Sequence, residues 1–312
     1  MLKRFKAFFQ LIRLPNLVFI ALTQILFHFF VIRPVLDKGH IISSLRGHNL
    51  AILIFATISI TAAGFIINDY FDLNGDLIRR SKSVVIGKYI HRHWALACHI
   101  TMSLFGIALG FYLDFTSTIY FLGLFNFCCT FLLFVYSIAL KKRPLLGNVL
   151  ISLLTSWVII VCTWCETLGI YHSGNIVDAS KITRLTLMYA GFAFIISIIR
   201  EALKDLEDID IDRKLKYDTM PIKWGVNASR VFIIVWMIVM IGALSAFFFY
   251  LLIIKRWIGA GYCAVFLIAP MLILFFKFLK AKNRKDFKWV RSKIKWVMLL
   301  GILSMLIIQS KY

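Results

Sequence analysis

Apolar stretches recur along the chain, parted by short polar segments, at about 14–33, 49–68, 94–113, 117–140, 145–165, 183–203, 228–253, 257–276 and 294–310. Each is near the ~20 residues an α-helix needs to cross a hydrocarbon core of ~30 Å. The pattern predicts an all-α polytopic membrane protein with about nine transmembrane helices. The tightest connections fall near Asp114 and Lys255. No stretch is left over for a separate soluble domain, so residues 1–312 read as a single transmembrane domain. The first apolar stretch follows Lys3, Arg4 and Lys6, as a secretory leader would. Its length and the lack of a small-x-small cleavage site point instead to a retained span.

Composition agrees with this reading. Of 312 residues, 61% are hydrophobic and the mean hydropathy is +0.84, values typical of polytopic membrane proteins. The net charge of +21 suggests nucleic acid until the basic residues are placed. With nine spans, 27 of the 36 Lys and Arg fall on the side of the N-terminus, 8 on the other side, and Arg200 inside a span. That bias puts the N-terminus in the cytoplasm and the C-terminus outside. Cations on that face attract the anionic headgroups of membrane lipids. The block Lys277, Lys280, Lys282, Arg284, Lys285 and Lys288 reads as such an anchor. Nucleic acid is a poor partner, because the bases are spread over five separate loops. The six cysteines all fall in predicted spans, where a thiol behaves as a small hydrophobe.

The acidic residues change the picture more. Ten of the 15 lie between 69–76 and 201–218. Two triplets share the spacing Asp-x2-Asp-x3-Asp: Asp69, Asp72, Asp76 and Asp205, Asp208, Asp212. Offsets of three and four fall on one helical face, so each triplet predicts a stripe of carboxylates. Asn68 precedes the first stripe, and Glu201 lies one turn before the second. Glu207 and Asp210 fall off the stripe and are expected to face water or Lys214 and Lys216. Both segments start at the cytoplasmic end of a span and run into basic loops, 69–93 and 204–227, expected to form a shared cap. A carboxylate at membrane depth costs roughly 2.5–3.5 kcal/mol on insertion scales, so such residues tend to be functional.

The pattern lacks the Asp-x-Asp-x-Asp-Gly run and final Glu of an EF-hand. Hard oxygen ligands suit Mg²⁺ that bridges protein carboxylates to substrate phosphates. Arg79, Arg80, Lys82 and Lys88 follow the first triplet; Arg213, Lys214, Lys216 and Lys223 follow the second. Together they form a candidate diphosphate clamp, since Arg holds phosphate oxygens in a bidentate fork. His91 and His93 flank the first loop and read as interfacial residues.

These residues carry a resemblance. Asn68-Asp69-Tyr70-Phe71-Asp72-Leu73-Asn74-Gly75-Asp76 resembles the N-D-x-x-D-x-x-x-D motif of the UbiA superfamily of intramembrane prenyltransferases. The stretch from Arg200 to Lys214 is similar to its second motif, and Asp218-Thr219-Met220-Pro221 with Gly225 to the continuation of that motif. Arg13-Leu14-Pro15-Asn16, Tyr136-Ser137 and the segment from Lys141 to Asn148 also match. The resemblance covers most of the chain. It implies nine helices around a central cavity, capped by the two acidic loops. It implies two Mg²⁺ ions held through Asn68, Asp72, Asp208 and Asp212, with Asp69, Asp76 and Asp205 nearby, on an isoprenyl diphosphate. The expected location is a bacterial or archaeal plasma membrane. The chain departs from the family at Arg79-Arg80-Ser81-Lys82-Ser83, where the usual Asn, Pro and final Arg are missing.

The expected chemistry is heterolysis of an allylic carbon–oxygen bond. Cations neutralise the leaving diphosphate, and dry aromatic walls shelter the carbocation. Candidate substrate contacts are Asn16, Lys141, Arg200 and Lys204 besides the clamp, with Tyr136 near the reacting carbon. Prenyl transfer to a lipophilic acceptor (a quinone precursor, a prenylglycerol phosphate or similar) is the leading expectation. A terpene cyclase, which ionises the same diphosphate without an acceptor, is the alternative.

Overall fold

The computed structural model describes residues 2–73, 85–117, 119–172 and 176–308. Among them the fold is all-helical apart from one isolated bridge between Ile86 and Ile90. Helix α1 is Leu2–Leu11, and α2, Leu14–Phe27, runs through a π-helical turn, His28–Ile32, into α3, Arg33–Lys38. Then come α4 Asn49–Phe71, α5 Arg92–Thr116, α6 Leu122–Ile138, α7 Leu146–His172 and α8 Ile176–Lys214. After the short α9, Met220–Lys223, come α10 Val226–Ile253 and α11 Trp257–Tyr262. A second π-helical turn, Cys263–Ile268, leads into α12, Ala269–Lys280, and α13 is Arg284–Ile308.

Each of the nine predicted stretches coincides with a helical segment. Among the described residues, seven are long and apolar enough to cross a bilayer: Leu14–Lys38, Asn49–Phe71, Arg92–Thr116, Leu146–Thr167, Asp178–Lys214, Val226–Ile253 and Trp257–Lys280. The other two differ for physical reasons. Helix α6 has only 17 residues, and α13 carries Arg291, Lys293 and Lys295 toward its N-terminal half. The chain is an all-α integral membrane protein.

The chain divides into two compact units. The first comprises Met1–Ile25, Val35–Lys141 and Ile160–Thr183. Its helices α4, α5 and α6 approach closely at glycines. A Cβ at Gly106 would lie 2.6 Å from Ile60 Cγ1, and one at Gly110 2.6 Å from Asn126 Nδ2 and 2.9 Å from Gly123 Cα. Asn126 Nδ2 uses that closeness to donate to Gly106 O at 3.0 Å. The connection near Asp114 is tight because its carboxylate accepts the N–H groups of Leu122 at 2.9 Å and Gly123 at 2.8 Å. Those are orphan donors in the first turn of α6, and their capture helps hold Phe121 at φ 63° in the left-handed region. Elsewhere Glu166 of α7 pins the 43–45 segment, accepting from Ser43 Oγ at 2.6 Å, Ser44 N at 2.7 Å and Leu45 N at 3.2 Å.

The second unit comprises Leu26–Pro34, Lys142–Ile159 and Arg184–Tyr312. Its core brings Leu203 and Leu206 of α8 together with Met237 of α10, Phe278 of α12, and Phe287 and Val290 of α13. The apolar reading of the sixth span ended at 203, and the loop predicted from 204 is helical through Lys214. A helix with Asp178 in its first turn and Arg213 and Lys214 in its last is favoured by its own dipole. It stops where Lys216 turns left-handed at φ 56°, with Lys216 N donating to Arg213 O and Tyr217 N to Asp212 O. That closing pattern satisfies carbonyls that the helix would otherwise leave open. It also returns the chain toward Asp212.

Candidate active site

In the first unit the site grows from the C-terminal end of α4. Asn68 and Asp72 lie one turn apart, and Asn68 Nδ2 donates to Asp72 Oδ2 at 3.0 Å. The other oxygen of Asp72 accepts from Lys141 Nζ at 2.6 Å; 8% of that lysine side chain is exposed. Asp69 turns to Arg13, whose Nη2 lies 2.6 Å from Asp69 Oδ1. Arg13 stands at the break between α1 and α2 with φ 53°, its guanidinium 4.8 Å from the Phe65 ring centre. The same turn places Asn16, whose backbone N donates to Arg13 O at 2.8 Å. Tyr136 is half-buried near the end of α6.

Asn68 Oδ1 is buried and has no hydrogen-bond partner among the described residues. An unpaired buried acceptor costs about 1–3 kcal/mol, so this oxygen is suited to accept a cation or a donor from a ligand. An amide oxygen beside a carboxylate is a hard donor set of the kind Mg²⁺ accepts. The first motif therefore fits the ion that the resemblance implies.

In the second unit the site lies on the last four turns of α8. Arg200 Nη2 lies 2.6 Å from Glu201 Oε1, and Lys204 Nζ lies 4.0 Å from Oε2 of the same carboxylate. Among the described residues Arg200 Nε is buried without a hydrogen-bond partner. Asp205 Oδ2 accepts from Asn148 Nδ2 of α7 at 2.8 Å. Asp208 and Asp212 are buried, and Asp212 Oδ2 accepts from Thr219 Oγ1 at 3.0 Å. Arg213, Lys214, Lys216 and Lys223 are exposed, as is Asp210.

One expectation is corrected. Glu207 does not face water or Lys214 and Lys216; it is 6% exposed and lies 2.8 Å from Arg291 Nε of α13. A partner 84 positions away leaves no trace in local spacing. Four partners were missed as contacts: Arg13, Asn148, Thr219 and Arg291. The first three stand inside matched motifs, which was the available signal.

Lys88 is exposed and lies 5.3 Å from the Tyr89 ring centre. His91 and His93 are exposed. Asp76, Arg79, Arg80 and Lys82 lie outside the described residues. Among the described residues no three His, Cys, Asp or Glu side chains converge. The oxygen donors come as pairs one turn apart in sequence, Asn68 with Asp72 and Asp208 with Asp212.

Comparison with known proteins bears on the whole chain. The chain is 27% identical over 259 residues to digeranylgeranylglyceryl phosphate synthase of Thermococcus sibiricus, covering 82% of this chain and 84% of that protein. A solved structure concerning digeranylgeranylglyceryl phosphate synthase matches with a TM-score of 0.62 at 21% identity, over 97% of this chain and 99% of the other. A UbiA homologue from Archaeoglobus fulgidus bound to DMAPP and Mg²⁺ matches with a TM-score of 0.56 at 14% identity, over 96% and 99%. These two structural likenesses speak to the fold. The UbiA prenyltransferase family model matches residues 36–300, and the chain belongs to that family.

Proposed function

We propose that the chain transfers a geranylgeranyl-type group from an isoprenyl diphosphate to the hydroxyl of a prenylglycerol phosphate within the membrane. The observation that carries the reading is the pair of oxygen-donor motifs, Asn68/Asp72 and Asp208/Asp212, in a chain whose curated relative is named for a digeranylgeranylglyceryl phosphate. The bound homologue carries DMAPP and Mg²⁺, which supports the same ion here. Two ions are proposed, held by Asn68, Asp72, Asp208 and Asp212, with Asp69, Asp76 and Asp205 adjoining. When bound, Mg²⁺ neutralises charge on the diphosphate oxygens.

The chain's own residues do the rest. Lys141, Arg200 and Lys204 supply fixed positive charge, with Arg213, Lys214, Lys88, Arg79, Arg80 and Lys82 as further phosphate contacts. Asn16 orients the donor. The bond from the allylic carbon to the diphosphate oxygen breaks with its electron pair on the diphosphate, the acceptor hydroxyl oxygen bonds that carbon, and the hydroxyl proton passes to the released diphosphate. The ring of Tyr136 faces the developing positive charge with its π cloud. Positive charge concentrated on one side supports a cytoplasmic site, and the relative from Thermococcus sibiricus supports an archaeal membrane.

The test is purified protein with Mg²⁺ and geranylgeranyl diphosphate, with and without geranylgeranylglyceryl phosphate. Diphosphate release that requires the acceptor is expected, and Asp72→Ala and Asp208→Ala should each abolish it. A cyclic hydrocarbon or alcohol formed without acceptor would identify a terpene cyclase instead.

A further inference from the structure

Glu207 is an acidic residue of α8 for which the proposed reaction has no use, yet it is buried and ion-paired. At about 100° per residue, it projects about 160° from Asp205, about 140° from Asp212 and about 100° from Asp208. It therefore stands on the back of the carboxylate stripe. Arg291 meets it there, with Nε 2.8 Å from Oε2 and side chains 27% and 7% exposed. Leu203 and Leu206 of α8 and Phe287 and Val290 of α13 pack in the same core. Apolar packing fixes how near the two helices lie but is tolerant of rotation, because one aliphatic face slides over another. Rotation of α8 would part Glu207 from its cation and strand a buried carboxylate, so this ion pair resists the slide.

We infer that Arg291 is a positioning residue: through Glu207 it sets the rotation of α8 about its axis, and with it the direction in which Asp208 and Asp212 present their oxygens. The inference rests on the metal role proposed for those two aspartates. Residues that orient metal ligands typically change metal affinity by about 10–100-fold when removed, although they never touch the ion. A merely structural ion pair would lower the unfolding temperature and leave metal affinity where it was.

The experiment is Mn²⁺ titration by electron paramagnetic resonance on the detergent-solubilised full chain, with inorganic pyrophosphate present. Arg291→Met should weaken Mn²⁺ binding by about tenfold. The exchange Glu207→Arg with Arg291→Glu should restore it to within about threefold of the parent, because the swap rebuilds the pair. Parental affinity in Arg291→Met, or a swap as weak as the single variant, overturns the inference. Should Arg291→Met fail to fold, Glu207→Gln replaces it in the same comparison, with the same two outcomes. Asp208→Asn is the control. If it keeps parental affinity, the metal assignment itself falls; if it loses affinity while Arg291→Met does not, only the positioning role falls.

Discussion

Lys141 Nζ and Asp72 Oδ1 lie 2.6 Å apart, an ammonium fixed on the carboxylate that ends α4. The ion pair joins two residues of one unit that are 69 positions apart, so the lysine is held where a diphosphate oxygen bound near Asp72 would meet it. Methionine at 141 keeps the side-chain length and removes the charge. Lys141→Met should raise the KM for isoprenyl diphosphate about tenfold, near 1.4 kcal/mol, at saturating Mg²⁺. Lys141→Arg should stay within a few-fold. A parental KM in the methionine variant would remove Lys141 from donor binding.

Thr219 tests the second motif in the same way. Its hydroxyl donates to Asp212 Oδ2 at 3.0 Å from just beyond the turn that closes α8. Valine preserves the volume and loses the donor. A hydrogen bond to a charged group is worth about 1.5–3 kcal/mol, so Thr219→Val should lower kcat/KM by about tenfold or more, and Thr219→Ser should recover most of it. Equal activity in all three proteins would mean that the hydroxyl does not orient Asp212.

Glycine spacing gives a stability prediction independent of chemistry. A Cβ at Gly110 meets the Gly123 backbone at 2.9 Å, whereas one at Gly242 meets nothing within 4 Å. Gly110→Ala should therefore destabilise by about 1–3 kcal/mol through overpacking. Gly242→Ala should be neutral or mildly stabilising, since alanine is the better helix former. Thermal unfolding in detergent compares the two directly. A Gly110→Ala protein as stable as the parent would show that α5 and α6 separate freely.

The sequence carried most of the fold because a bilayer demands one simple thing of a segment, about 20 apolar residues, and among the described residues seven of the nine stretches coincide with helices that meet it. It carried less where polarity and helicity part company. From Lys204 to Lys214 most residues are charged, yet the helix runs on with Leu206 and Ile211 buried, so an apolar count ends α8 eleven residues early. At Asp72 α4 reaches its C-terminal cap, and Asp76, the last member of the first stripe, lies outside the described residues. Spacing alone singled out Asn68 and the two Asp triplets as candidates, and the resemblance narrowed them to Asn68, Asp72, Asp208 and Asp212. Their fixings were not legible, since Arg13 to Asp69 and Arg291 to Glu207 are contacts between distant segments whose local sequence is merely basic.

Helix α8 runs unbroken for 39 residues. At about 1.5 Å per residue that is close to 58 Å, almost twice the thickness of a hydrocarbon core. Its backbone runs on without a turn from the apolar stretch into the carboxylate stripe. Any alteration in the tilt of its buried half moves Asp208 and Asp212 by leverage, and the arm is long. Tilt in turn follows how well a span's length matches its bilayer. The thickness of the surrounding lipid is thereby written into the geometry of the carboxylates.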